Sequence, residues 1–188
     1  MPKIGAEPIR KAALINATIF EVGRTGSLDV TVAQIARRAG MSPALAHHYF
    51  GSKEKIFLSA MRYILRTYGR SVAERLPGHG RRGRLDAIVR ASFAPQNFQR
   101  ETVSAWINFY ALALINPEAG RLLRVYHRRL RSNLVLALRP LAADPVRVAE
   151  TVGALIDGVY LRAVLTPGGI DAVTAEKLIF DYLDEVLQ

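Results

Sequence analysis

Between Thr31 and Ser52 the chain is punctuated too closely for anything but two short helices and a tight turn. Thr31, Ser42 and Ser52 are residue types whose side-chain oxygens satisfy the free N–H groups of a helix start. Gly40 and Gly51 stand where helices end and the chain reverses. Pro43 follows Ser42 at a first helical position, where its missing N–H has no partner to lose. The spacing therefore predicts a helix over Val32–Ala39, a reversal at Gly40, a second helix from Pro43 to about Phe50, and a third from Lys53 to about Leu76. Ile35, Ala36 and Ala39 form the inward face of the first, Met41 plugs the angle, and Ala46 and Phe50 face inward from the second.

Two short helices joined at a glycine turn make a shape that reads DNA. The outward face of the second carries Pro43, Ala44, His47 and His48. Small residues near its start let the backbone approach the major-groove floor, and the two histidines reach base edges. Phosphate contacts need donors around this helix: the Thr31 hydroxyl beside a helix start, the Tyr49 phenol and the Lys53 ammonium, with Arg37 and Arg38 adding positive potential. The competing reading is a helical hairpin that only packs.

Charge supports the first reading. The 188 residues carry a net charge of +10, and residues 1–70 hold 11 Lys/Arg against 4 Asp/Glu, so the excess sits in the N-terminal third. Such a basic balance favours a polyanionic partner. There is no cysteine, which excludes a thiolate metal site, a catalytic thiol and a disulfide framework, and fits a reducing cytoplasm. The N-terminus lacks the apolar core of a signal peptide, and no run approaches 18 uncharged apolar residues. The expected location is the cytoplasm, on the nucleoid.

The rest also reads as helix. Ile9 to Val22 places Ile9, Ala12, Ala13, Ile15, Ile19 and Phe20 at helical spacing, with Gly23 as the expected stop. Pro77-Gly78-His79-Gly80 is the clearest break, and helical runs follow at about 85–94, 102–115, 118–141, 145–165 and 171–186. The fold class is all-α, with a helix-turn-helix domain over residues 1–55 and a ligand-binding and dimerisation domain over 56–188.

Other classes fare worse. None of the metalloprotease, serine-hydrolase or phosphate-loop motifs occurs, so no catalytic residue, cofactor or metal is called for. His47 and His48 are adjacent and diverge on a helix, a poor metal pair. Lys3, Arg10 and Lys11 cluster as a membrane-surface binder needs, but the apolar face of that helix is required for the core. A protein that coats DNA without sequence preference would share the charge and not need the turn.

The second domain offers aromatics on otherwise aliphatic helices: Phe93, Phe98, Trp106, Phe109, Tyr110, Tyr126 and Tyr160. Asp157 lies three residues before Tyr160, on the same helix face. A carboxylate there needs a partner, either Arg162, Arg124, Arg128 or a bound cation. Aromatic faces with a carboxylate suit a quaternary ammonium ligand, each good contact being worth about 2 kcal/mol. The plainer reading is ordinary core and an arginine pair.

The run Thr31–Ser42 followed by His48-Tyr49-Phe50-Gly51-Ser52-Lys53-Glu54 resembles the DNA-binding domain of the TetR family of repressors, over about residues 9–55. The resemblance implies a homodimer on double-stranded operator DNA, paired through its two long C-terminal helices. Base-reading positions fall on Pro43, Ala44, Leu45, His47 and His48, with Ser42 at the helix start; phosphate-contacting ones fall on Thr31, Tyr49 and Lys53. His47 departs from the family, which usually has an aromatic there. Ala105–Tyr110, Arg121–Val125, His127–Leu134 and Ala154–Arg162, with Pro2–Gly5 and Pro8-Ile9-Arg10, resemble the branch of this family that represses glycine betaine synthesis and responds to choline. For that small-molecule effector the resemblance points to Phe93, Trp106, Phe109, Tyr110, Asp157 and Tyr160; a paralogue with another effector is the alternative.

Overall fold

The computed structural model describes residues 6–76 and 82–187. The expected break at Pro77–Gly80 and the N-terminal run Pro2–Gly5 lie outside them. Among the described residues there are nine helices: α1 Ala6–Thr25, α2 Val32–Arg38, α3 Pro43–Phe50, α4 Lys53–Arg75, α5 Gly83–Ser92, α6 Arg100–Ile115, α7 Pro117–Leu138, α8 Pro145–Leu165 and α9 Ala172–Val186. No helix of the described residues is long and apolar enough to cross a membrane.

The expected caps form. The Thr31 hydroxyl accepts from the Gln34 N–H at 3.1 Å while the Gln34 side chain accepts from the Thr31 N–H at 2.7 Å, a reciprocal capping box. Ser42 and Ser52 accept from the N–H groups of Leu45 and Lys55, each at 3.2 Å. Asn116, Asp144 and Asp171 begin α7, α8 and α9 in the same way. Gly40 has φ of +67°, a conformation that lets the chain reverse between α2 and α3 without the Cβ clash other residues meet.

Leu14, Ala17 and Val22 of α1, Ile35 and Ala36 of α2, Ala46 of α3 and Ile56, Phe57, Leu58, Ala60 and Met61 of α4 bury together. α4 continues out of this cluster, and its other end packs on α5. Beyond it, α7 and α8 face each other through Tyr126, Leu130 and Leu134 against Val152, Ile156 and Val159, and α9 adds Ala175, Ile179 and Leu183. The α1–α6 packing is the most extensive between any two helices.

Three expectations about α1 and α2 need correction. Gly23 does not stop α1, which runs on to Thr25. Gly23 instead sits where α1 crosses α6, so close that a Cβ would meet the Glu101 carbonyl oxygen at 2.0 Å. Ile9 keeps helical spacing but is 72% exposed, because the first turns of α1 overhang the core. Arg38 is not a free charge beside DNA: it pairs with Glu21 of α1 and lies 3.5 Å from the centroid of the Phe20 ring.

Glu21 is nearly buried, and hydrogen bonds from Arg24 and Arg38 hold its carboxyl below the usual carboxylate range. A depressed carboxylate contributes stability at neutral pH that is lost as pH falls through its folded value. Glu21→Gln is therefore expected to destabilise by roughly 1–2 kcal/mol at pH 7. The gap between wild type and variant should close at acid pH, once the pH has fallen through the lowered folded value. Urea melts at both pH values check this; a gap independent of pH would remove the charged pair from the account.

Candidate nucleic-acid interface and effector site

α3 presents a solvent-facing surface with the properties that groove entry requires. Ser42, Pro43, Ala44, His47 and His48 are exposed, while Ala46 is fully buried and anchors the opposite side. Leu45 is half-buried and divides its surface between core and solvent. Because the Ser42 oxygen accepts from a backbone N–H, its proton remains free for an outside acceptor. The Thr31 hydroxyl is more committed: it also donates to Gln34 Oε1 at 2.9 Å. His47 Nδ1 lies 3.4 Å from the Gly51 carbonyl, and its ring remains exposed.

The Tyr49 phenol is held from α1. Arg10 Nη1 donates to Tyr49 Oη at 3.3 Å, and Lys11 Nζ stands 5.9 Å from the ring centroid. Arg10 and Lys11 thereby join Tyr49 as one basic patch, a grouping that the sequence does not reveal because 39 positions separate Arg10 from Tyr49. Lys53, in the first turn of α4, lies 5.3 Å over the Phe57 ring, which rests its stem on the protein. Backbone N–H groups at the starts of α2, α3 and α4 add partial positive charge.

The aromatics of the second half divide into two groups. Tyr68 of α4, Trp106 of α6, Tyr126 of α7 and Tyr160 of α8 line one cavity together with Ile64, Leu65, Asn97, Thr102 and Val103. Trp106 and Tyr126 meet edge to face at 5.2 Å, and Tyr126 meets Tyr68 at 5.9 Å. Phe93 and Phe109 are fully buried and do not line the cavity. Phe93 supports it from behind, packing edge to face on Tyr160 at 5.9 Å. Tyr68 escaped the sequence reading because the charged residues around it in α4 mask an inward position. Its phenol is raised to about 12 by burial.

Asp157 takes none of the three expected arginine partners, Arg162 on its own helix or Arg124 and Arg128 on α7. Tyr110 donates to Asp157 Oδ1 at 2.8 Å, and His127 Nε2 lies 3.9 Å from Oδ2. Burial raises the Asp157 carboxyl, while the Tyr110 hydrogen bond and the His127 charge oppose that rise. Tyr110 stacks edge to face on Trp106 at 5.2 Å, so the carboxylate stands behind one wall of the cavity. The cavity measures about 20 Å³, room for about one water. It is a small, half-open aromatic box at the junction of α4, α6, α7 and α8.

Residues 14–60 match the tetR family of bacterial regulatory proteins, and residues 81–188 match the C-terminal domain of BetI-type transcriptional repressors. The HTH-type transcriptional regulator BetI of Brucella suis is 48% identical over 186 residues, covering 97% of this chain and 94% of its own. That of Agrobacterium fabrum is 47% identical over 191 residues, covering 100% and 93%. A transcriptional regulator from Rhodococcus sp. shares the fold with a TM-score of 0.84 at 21% identity, covering 95% of this chain and 96% of its own. A regulator from Saccharomonospora viridis, solved in complex with choline, does so with a TM-score of 0.81 at 23% identity, covering 93% and 95%. These relatives are transcriptional regulators and not enzymes. With a helix-turn-helix at one end and a BetI-type domain at the other, the chain belongs to the TetR family of transcriptional repressors.

Proposed function

We propose that this repressor controls genes for choline uptake and glycine betaine synthesis, and leaves its operator when choline occupies the aromatic box. The observation that carries the reading is the convergence of Tyr68, Trp106, Tyr126 and Tyr160 on one cavity, with the Asp157 carboxylate behind it. A quaternary ammonium has no N–H to donate, so recognition must come from aromatic faces and a fixed negative charge. The names of the relatives and the choline held by the Saccharomonospora neighbour point the same way.

Residues 1–55 act as the DNA reader and 56–188 as the effector and dimerisation unit. Ser42, Pro43, Ala44, Leu45, His47 and His48 face the bases, and Thr31, Tyr49 and Lys53 hold phosphates. Dimerisation through α8 and α9 is supported by apolar side chains they leave exposed, among them Leu161, Leu165, Val173 and Leu178. A dimer sets two α3 helices in successive major grooves, about 34–36 Å apart. Such a protein works in the cytoplasm, on the nucleoid.

α4 is the lever. Its first turns are tied to the α6–α7 corner by Asn116 with Glu54 and by Arg62 with Glu118, and Tyr68 on its later turns is a wall of the box. The box has less room than a trimethylammonium group needs, so binding must move a wall. A ligand that favours a wider spacing of the two α3 helices shifts the population off DNA by its differential affinity for the two states.

Trp106 is the sole tryptophan and a wall of the box, so its emission reports on this place alone. Titration of the purified protein with choline is expected to give a saturable change in emission that an uncharged isostere does not reproduce. Unchanged emission would remove choline and leave a TetR-type regulator with a different effector.

A further inference from the structure

The aromatic box adjoins a second, larger space that is richer in hydrogen-bonding groups. A cavity of about 340 Å³ lies between α1, α4 and the start of α6, and Ile64, Asn97 and Thr102 line both it and the box. Where the box is aromatic, this cleft is mixed: Ile19, Phe20 and Tyr63 give it apolar walls, while Asn16 of α1, Thr67 of α4, and Gln96 and Gln99 before α6 supply hydrogen-bonding groups, and Glu101 is its one carboxylate. Thr67 lies between the two spaces in sequence, three residues after Ile64 and one before Tyr68. Its hydroxyl is buried and has no hydrogen-bond partner among the described residues. A buried polar group left unpaired in this way calls for a partner from outside the fold.

We propose that the cleft is the second compartment of the effector site, taking a neutral hydrogen-bonding tail whose ammonium head lies in the box. The inference rests on the quaternary-ammonium reading above and adds to it a ligand class: cations that carry a hydroxyl or ester about two carbons from the charged nitrogen. The shared walls Ile64, Asn97 and Thr102 explain why the two spaces act together. The box opens by moving α4 or α6, and that movement joins it to the cleft. The trimethylammonium head cannot pair the Thr67 hydroxyl, whereas a tail oxygen can. Glu101 sets the sign of the tail, because a carboxylate there meets a like charge.

Calorimetric titration of the full-length protein separates head from tail with four probes: tetramethylammonium, choline, acetylcholine and glycine betaine. Choline is expected to bind about tenfold tighter than tetramethylammonium, the difference arising from the tail hydrogen bond. Thr67→Val should remove most of that gain. Asn16→Trp, at an exposed position of α1, should fill the cleft and weaken acetylcholine about tenfold or more. Glu101→Gln should improve glycine betaine about threefold. Tetramethylammonium should bind all three variants as it binds wild type, which also establishes that they fold. If the variants leave the ratio of choline to tetramethylammonium and the affinity for acetylcholine unchanged, the cleft takes no tail, while the head site stands. If none of the four probes binds wild type, the quaternary-ammonium reading fails and the two-compartment site fails with it.

Discussion

Gly23→Ala is expected to destabilise the protein by roughly 1–3 kcal/mol, while the same exchange at Gly69 stabilises it by about 0.5–1 kcal/mol. Both glycines lie inside helices, where alanine lowers the entropy lost on folding and is preferred. At Gly69 of α4 nothing lies within 4 Å of an added Cβ, so the propensity gain is realised in full. At Gly23 the added carbon would stand 2.0 Å from the Glu101 carbonyl oxygen and 2.6 Å from its Cα. These are backbone atoms and cannot rotate aside, so α1 and α6 must part. Denaturant melts of the two variants check the pair of signs. A stabilised Gly23→Ala would mean that the crossing is looser than described. The consequence reaches function, because α1 belongs to the DNA-reading half and α6 carries Thr102, Val103 and Trp106 of the aromatic box. Parting the two helices is also expected to alter how strongly an effector changes operator affinity.

Ala44→Glu is expected to reduce DNA binding at least a hundredfold and to leave stability within about 0.5 kcal/mol of wild type. Ala44 is exposed at the second position of α3, so its side chain touches little of the fold. A carboxylate in the first turn of a helix is favoured by the helix dipole. In the major groove the same carboxylate faces the phosphates of both strands and displaces the close backbone approach that a small residue permits. Stability and binding are thus predicted to move independently. Binding measured by fluorescence anisotropy, with a thermal melt of the same sample, checks both. Unchanged affinity would take α3 out of the groove.

The helix-turn-helix was legible because its signals are local. Caps at Thr31, Ser42 and Ser52 and the turn at Gly40 act within four residues, so their meaning does not depend on distant parts of the chain. Signals that depend on tertiary partners are less legible. Gly23 in a helical run reads as a stop, and only the course of α6 reveals it as a contact point. Arg38 reads as a free charge because Glu21, 17 residues away, is not a sequence neighbour. Asp157 reads as a carboxylate in need of a partner, yet the sequence does not show that Tyr110 supplies that partner from α6. Phe93, Phe109 and Trp106 are equally aromatic in sequence, and only the packing of four helices sorts the cavity wall from the core. Tyr68 was invisible for the same reason.

One molecule is expected to join specific operator binding to release by a quaternary ammonium. The most direct test selects a duplex from random DNA with the purified protein, labels it, and follows its anisotropy while choline is added to the complex. The expected result is a pseudo-palindromic duplex with half-sites one helical turn or a multiple apart, and a saturable fall in anisotropy that an uncharged isostere does not cause. A complex that forms on any sequence, or an operator complex that choline leaves intact, would contradict it.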